Sequence, residues 1–82
     1  MGSDKQLLAF FPTHEITVSA RGEELAIDYP DIIDQRLAEE AGRFVSHLLV
    51  NEADSLEKIR AAGAWDKLEA AFDKWRRARG LD

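Results

Sequence analysis

The chain contains no cysteine, which excludes disulfide stapling and thiolate-held metal and makes a reducing, cytoplasmic setting the expected one. Histidine is nearly as scarce. His14 and His47 are the only imidazoles, and neither has a second ligand at a zinc spacing such as His-Glu-x-x-His, so no metal site is expected. The N-terminal apolar run, Leu7–Phe11, is five residues long, shorter than a secretory apolar segment and far short of the roughly 20 residues that span a bilayer. No role at a membrane is expected, and the polar opening Met1–Lys5 is assigned none of its own.

Chemistry is equally thin. Ser46 precedes His47, but neighbours on a helix point about 100° apart and cannot act as nucleophile and base. Glu15 adjoins His14 at a spacing that puts the two on opposite faces of a strand, and Arg43 precedes His47 by one helical turn and opposes its protonation. Asp28, Asp31 and Asp34 lack the glycine and distal glutamate of a calcium loop and are accounted for as helix-capping groups. No glycine-rich phosphate loop occurs. No catalytic residue, metal or cofactor is therefore expected, and the chain reads as non-enzymatic.

What is abundant is acid. Sixteen Asp and Glu stand against eleven Lys and Arg, for a net charge of −5. From His14 to Glu57 eleven acids face only Arg21, Arg36 and Arg43, whereas Trp65 to Asp82 holds five cations and four acids. An acidic body repels phosphates, which disfavours direct nucleic-acid binding and favours a basic protein surface as partner. Glu23-Glu24 and Glu39-Glu40 are the candidate docking charges, with a solvated, solubilising surface as the plain alternative. The other candidate is aromatic: Trp65, Leu68, Phe72 and Trp75 recur at helical spacing, a stripe that closes a core or meets a partner, a second copy of the chain included.

The expected fold is α+β in a single domain over residues 1–82, with a core kept thin by the length of the chain. Ile16, Val18 and Ala20, then Leu25, Ile27 and Tyr29, alternate with polar or small residues; Arg21–Glu24 between them reads as a four-residue hairpin loop. That loop pairs Val18 with Ile27 and puts all six apolar side chains on one face. Gln6–Phe11 is a candidate third strand, ended by Pro12, so that strands occupy 6–29. Pro30 and the three aspartates start a helix over 30–51 whose apolar face is Ile33, Leu37, Ala41, Phe44, Val45 and Leu48. Gly42 falls opposite that face, where an exposed interior glycine costs about 1 kcal/mol relative to alanine. A helical segment, 54–80, is expected to start at Asp54 and to bend near Ala62-Gly63, because Leu56 and Trp65 lie about 180° apart on a straight helix. Its second part, 64–79, carries the aromatic stripe and ends at Gly80 with Arg76, Arg77 and Arg79 complementing the helix dipole.

The stretch from Leu25-Ala-Ile-Asp-Tyr-Pro-Asp-Ile-Ile-Asp through Arg36-Leu-Ala-Glu-Glu-Ala-Gly42 to Leu48-Leu-Val-Asn-Glu-Ala53 resembles the ribbon-helix-helix repressors and antitoxins. The resemblance implies a strand paired between two chains, a turn at Gly42, and base reading by the outward strand residues Glu24, Ala26 and Asp28. Two functional expectations follow. The first is a small acidic regulator or inhibitor, antitoxin-like in size and charge, that occludes a partner protein; the second is a ribbon-helix-helix repressor whose C-terminal aromatic helix binds a toxin. A subunit that dimerises through that helix is a third.

Overall fold

The computed structural model describes residues 5–80. Three strands, β1 (Gln6–Phe11), β2 (Ile16–Arg21) and β3 (Glu24–Asp28), precede three helices, α1 (Gln35–Asn51), α2 (Ala53–Ala62) and α3 (Trp65–Ala78). The strands form an antiparallel meander in the order β1-β2-β3. The fold is α+β, as the two-residue and 3.6-residue periodicities require. Among the described residues no helix is long and apolar enough to cross a membrane.

Val18 pairs with Ile27 and Ala20 with Leu25, the register that alternation predicts. The loop between these strands is tighter than the expected four residues. Arg21 pairs with Glu24, leaving Gly22-Glu23 as a two-residue turn in which Gly22, at φ 65°, takes the first central position that favours glycine. β1 shifts register between Leu7 and Ala9, a bulge that turns Leu8 as well as Ala9 into the interior.

The 30–51 helix begins later than expected. Pro30 accepts from the Ile33 amide at 3.0 Å, which closes a turn, and Asp34 is the N-cap, its Oδ1 accepting from the Arg36 amide at 2.9 Å. Asp34 alone of the three aspartates caps; Asp28 ends β3 and Asp31 is exposed. At the far end Glu52 separates α1 from α2, so the second helix starts without the Asp54 cap. The bend at Ala62-Gly63 is present: Gly63 is left-handed at φ 67°, and the Ala64 amide reaches back to the Ile59 carbonyl at 3.0 Å.

Gly42 is also corrected. It is buried rather than exposed, and a Cβ built there would lie 2.5 Å from Ile27 Cδ1. The glycine is where α1 touches β3. Helix α1 runs unbroken through it, and β3 pairs with β2 of its own chain, whereas the ribbon-helix-helix resemblance implies a turn at Gly42 and a strand paired between chains.

The core lies between the helices and one sheet face: Ala9, Phe11, Ile16 and Val18 from the sheet, Ala41, Phe44, Val45 and Leu48 from α1, Leu56 from α2, Leu68 and Phe72 from α3. Phe11, Phe44 and Phe72 form its centre, with ring centroids 4.9 to 6.4 Å apart. Coverage fails toward β3. Of the six apolar residues of the hairpin, Ile16 and Val18 are fully buried and Ala20 and Ile27 half-buried, but Leu25 and Tyr29 remain 36% and 38% exposed.

Candidate protein-binding surface

The candidate carboxylates occupy two places. Glu23 and Glu24 stand exposed at the tip of the β2-β3 hairpin, and Glu39 is exposed on α1, accepting only from Gln35 Nε2 at 3.1 Å. Among the described residues no cation pairs with any of the three. Glu40, the neighbour of Glu39, points elsewhere because adjacent helical residues diverge by about 100°. It is 8% exposed, is ion-paired with Arg43, and has Arg79 Nη1 at 4.0 Å. Its Oε1 has no hydrogen-bond partner. Glu40 therefore lies in the wall of a cleft of about 710 Å³ between α1 and the end of α3, shared with Asp34, Arg36, Arg43 and Arg76 and bordered also by the exposed Glu39.

Four of the arginines are engaged within the molecule. Arg43 is held by Glu40, Arg60 by Glu57 and Arg76 by Asp73, each a helical i to i+3 pair. The Arg79 guanidinium lies over the Trp75 ring at 4.5 Å and that of Arg76 over Phe72 at 5.1 Å. Arg21 at the hairpin tip and Arg36 in the first turn of α1 are exposed and in no ion pair among the described residues, so the charge left at these two places is a small excess of acid.

The four-residue stripe of α3 divides. Leu68 and Phe72 are fully buried, so Phe72 is a core residue and offers no surface. Trp65 and Trp75 pack against the core from its rim and stay partly exposed. Trp75 lies 5.4 Å from Phe44 and 6.5 Å from His47 between ring centroids, and it forms one wall of a shallow groove of about 290 Å³ with Leu48 and Ala71. Any partner contact from the aromatic stripe has to come from the tryptophan edges.

Nothing in the pattern of α3 singles out Glu69. It lies on α3 beside the buried row, 7% exposed, and its two carboxylate oxygens accept from the Thr13 and His14 amides at 3.1 and 3.2 Å. These bonds tie the β1-β2 turn to α3. The turn needs the help, since Glu15 within it adopts φ 56°, a region costly for a residue with a side chain. His14 completes the cluster, with Nε2 3.8 Å from Asp73 Oδ1 and 4.0 Å from Glu69 Oε2. The role is structural: a buried carboxylate satisfied by backbone donors is a fixed strut.

Among the described residues no three His, Asp or Glu are grouped so as to hold a metal ion. The chain matches no protein-family model, no curated protein and no solved structure.

Proposed function

We propose that the protein is a small acidic, non-enzymatic regulator or inhibitor that binds another protein and occludes a basic surface on it, without a cofactor. One observation carries the reading. Glu23, Glu24 and Glu39 are exposed and without an ion pair among the described residues, Arg43, Arg60 and Arg76 are ion-paired inside the molecule and Arg79 is stacked on Trp75, so that acid remains in excess beside the exposed Arg21 and Arg36. Uncompensated surface charge of one sign steers association with the opposite sign and repels its own kind.

The test is capture from the native host on immobilised protein, comparing the wild type with a Glu23→Lys/Glu24→Lys/Glu39→Lys variant by mass spectrometry. A basic protein should be retained by the wild type, released as salt rises, and lost by the variant, whose urea midpoint should stay unchanged. Screening beyond about 8 Å at physiological ionic strength is the reason salt should act. Retention indifferent to both salt and charge reversal would refute docking by charge, and retention of a DNA fragment would favour the repressor reading.

A further inference from the structure

The two edges of the sheet are treated differently. On β1 the Arg60 side chain donates to the Leu7 carbonyl at 3.0 Å, a bulge interrupts the strand between Leu7 and Ala9, and α2 and α3 pack alongside. Bulges, bound side chains and covering helices are the usual ways of closing an edge to further pairing. β3 has neither a bulge nor a bound side chain, and α1, the helix that packs on it, covers only part of one face. Among the described residues no hydrogen bond reaches β3 from outside the sheet, so the N–H and C=O groups on its outer side are free.

The side chains of β3 are sorted by face. Leu25 and Ile27 point to the helix side, where Leu25 and the following Tyr29 are 36% and 38% exposed, because α1, which meets β3 around the Gly42–Ile27 contact, leaves both of them partly uncovered. Ile32, just beyond, is 88% exposed. Glu24, Ala26 and Asp28 point to the opposite face, and their carboxylates are exposed; Glu24 stands across from the exposed Arg21 of β2 without an ion pair, and Asp28 has Lys5 Nζ at 3.6 Å, with both side chains largely in water. A free strand edge is thus bordered by an uncovered apolar strip on one face and by carboxylates on the other.

Self-pairing is opposed by this arrangement. Two copies joined antiparallel about Ala26, the register that pairs the whole strand, would set Glu24 of each opposite Asp28 of the other, and like charges directly opposite destabilise a sheet. A strand with basic residues at those positions gains instead.

We infer that the outer edge of β3 is where the partner docks: an extended segment of the partner protein adds to the sheet as a fourth strand, its basic side chains facing Glu24 and Asp28 and its alternate apolar side chains covering Leu25, Ile27 and Tyr29. Main-chain hydrogen bonds supply the attachment in this mode, and alternate side chains supply the choice of partner. The inference rests on the acidic protein-binding reading and names the site and the form of the bound segment.

The probe is an acetylated, amidated heptapeptide of alternating lysine and valine, titrated into the nitrogen-15-labelled full chain and followed by amide chemical shifts and hydrogen exchange. At millimolar peptide, shifts should concentrate on residues 24–29, with slowed exchange of the outward amides of β3. N-methylation of alternate peptide nitrogens, which removes the pairing donors, should abolish the effect. Glu24→Lys/Asp28→Lys should weaken binding at least tenfold, while a Glu-Val peptide should bind that variant better than the wild type. Shifts that fall on Glu39 and persist with the N-methylated peptide would overturn strand addition and leave charge docking standing. No shift at millimolar peptide, or self-association through β3 at low salt, would also overturn it; host capture indifferent to charge would remove the wider reading with it.

Discussion

Gly42 offers a quantitative test of how α1 meets the sheet. Replacing glycine by alanine inside an exposed helix face stabilises by about 1 kcal/mol through backbone entropy and propensity. Here the added methyl carbon would sit 2.5 Å from Ile27 Cδ1 and 3.6 Å from Cγ1. Only the terminal methyl of a half-buried isoleucine must move, and displacing a side chain from its preferred rotamer costs about 0.5–1.5 kcal/mol. The two effects nearly cancel, so Gly42→Ala should shift stability by no more than about 0.5 kcal/mol. Ile27→Val removes the obstructing methyl and should itself cost about 0.5–1.5 kcal/mol. Added to that background, Gly42→Ala should recover close to 1 kcal/mol, a coupling of roughly 0.5–1.5 kcal/mol in a double-mutant cycle. Urea unfolding of the four proteins, with a common slope, measures it. A Gly42→Ala protein that gains the full propensity term alone, with no coupling to Ile27→Val, would show that the glycine faces solvent and that the contact is absent.

The remaining expectations concern α3. Glu69→Ala should destabilise by about 2–3 kcal/mol, because it leaves the Thr13 and His14 amides without a charged acceptor; faster exchange confined to those amides would identify the cause, and unchanged exchange would refute the strut. Glu69→Gln should cost less, since one of its oxygen positions still accepts. Phe72→Ala, at a fully buried ring, should cost about 3–5 kcal/mol. Trp75→Ala should cost clearly less than Phe72→Ala in urea unfolding, since Trp75 lies at the rim; equal losses would place it in the core.

The strands were legible because their signal is short-range. Alternation over Ile16–Ala20 and Leu25–Tyr29 allows one register only, and that register is present down to Val18 opposite Ile27. Burial within the hairpin was less legible. Alternation tells which face a side chain takes, but the length of sheet that a helix covers depends on how the helix crosses it, and Leu25 and Tyr29 lie past the end of the cover. The start of α1 differs from the expected one for a related reason. Pro30 at a first helical position and Pro30 leading a turn require the same φ, and three nearby aspartates supply equivalent caps; the choice of Asp34 follows from the turn closed between Pro30 and Ile33.

Residues that join distant parts of the chain were the hardest to foresee. Gly42 sits outside the apolar arc of its own helix, and its need for a small side chain arises from Ile27, fifteen positions earlier in the numbering. Glu69 is ordinary on the surface pattern of α3, and its function as a strut comes from two amides more than fifty residues away. The aromatic stripe shows the same limit from the other side. Helical spacing places Trp65, Leu68, Phe72 and Trp75 on one face, yet a helix packed on a narrow sheet buries the middle of that face and leaves its borders at the rim. Leu68 and Phe72, one turn apart, occupy the middle, and the tryptophans flank them, each large enough to reach the core with one edge and water with the other. Periodicity therefore assigns a residue to a face, and the width of what covers that face decides which of its members a partner can touch.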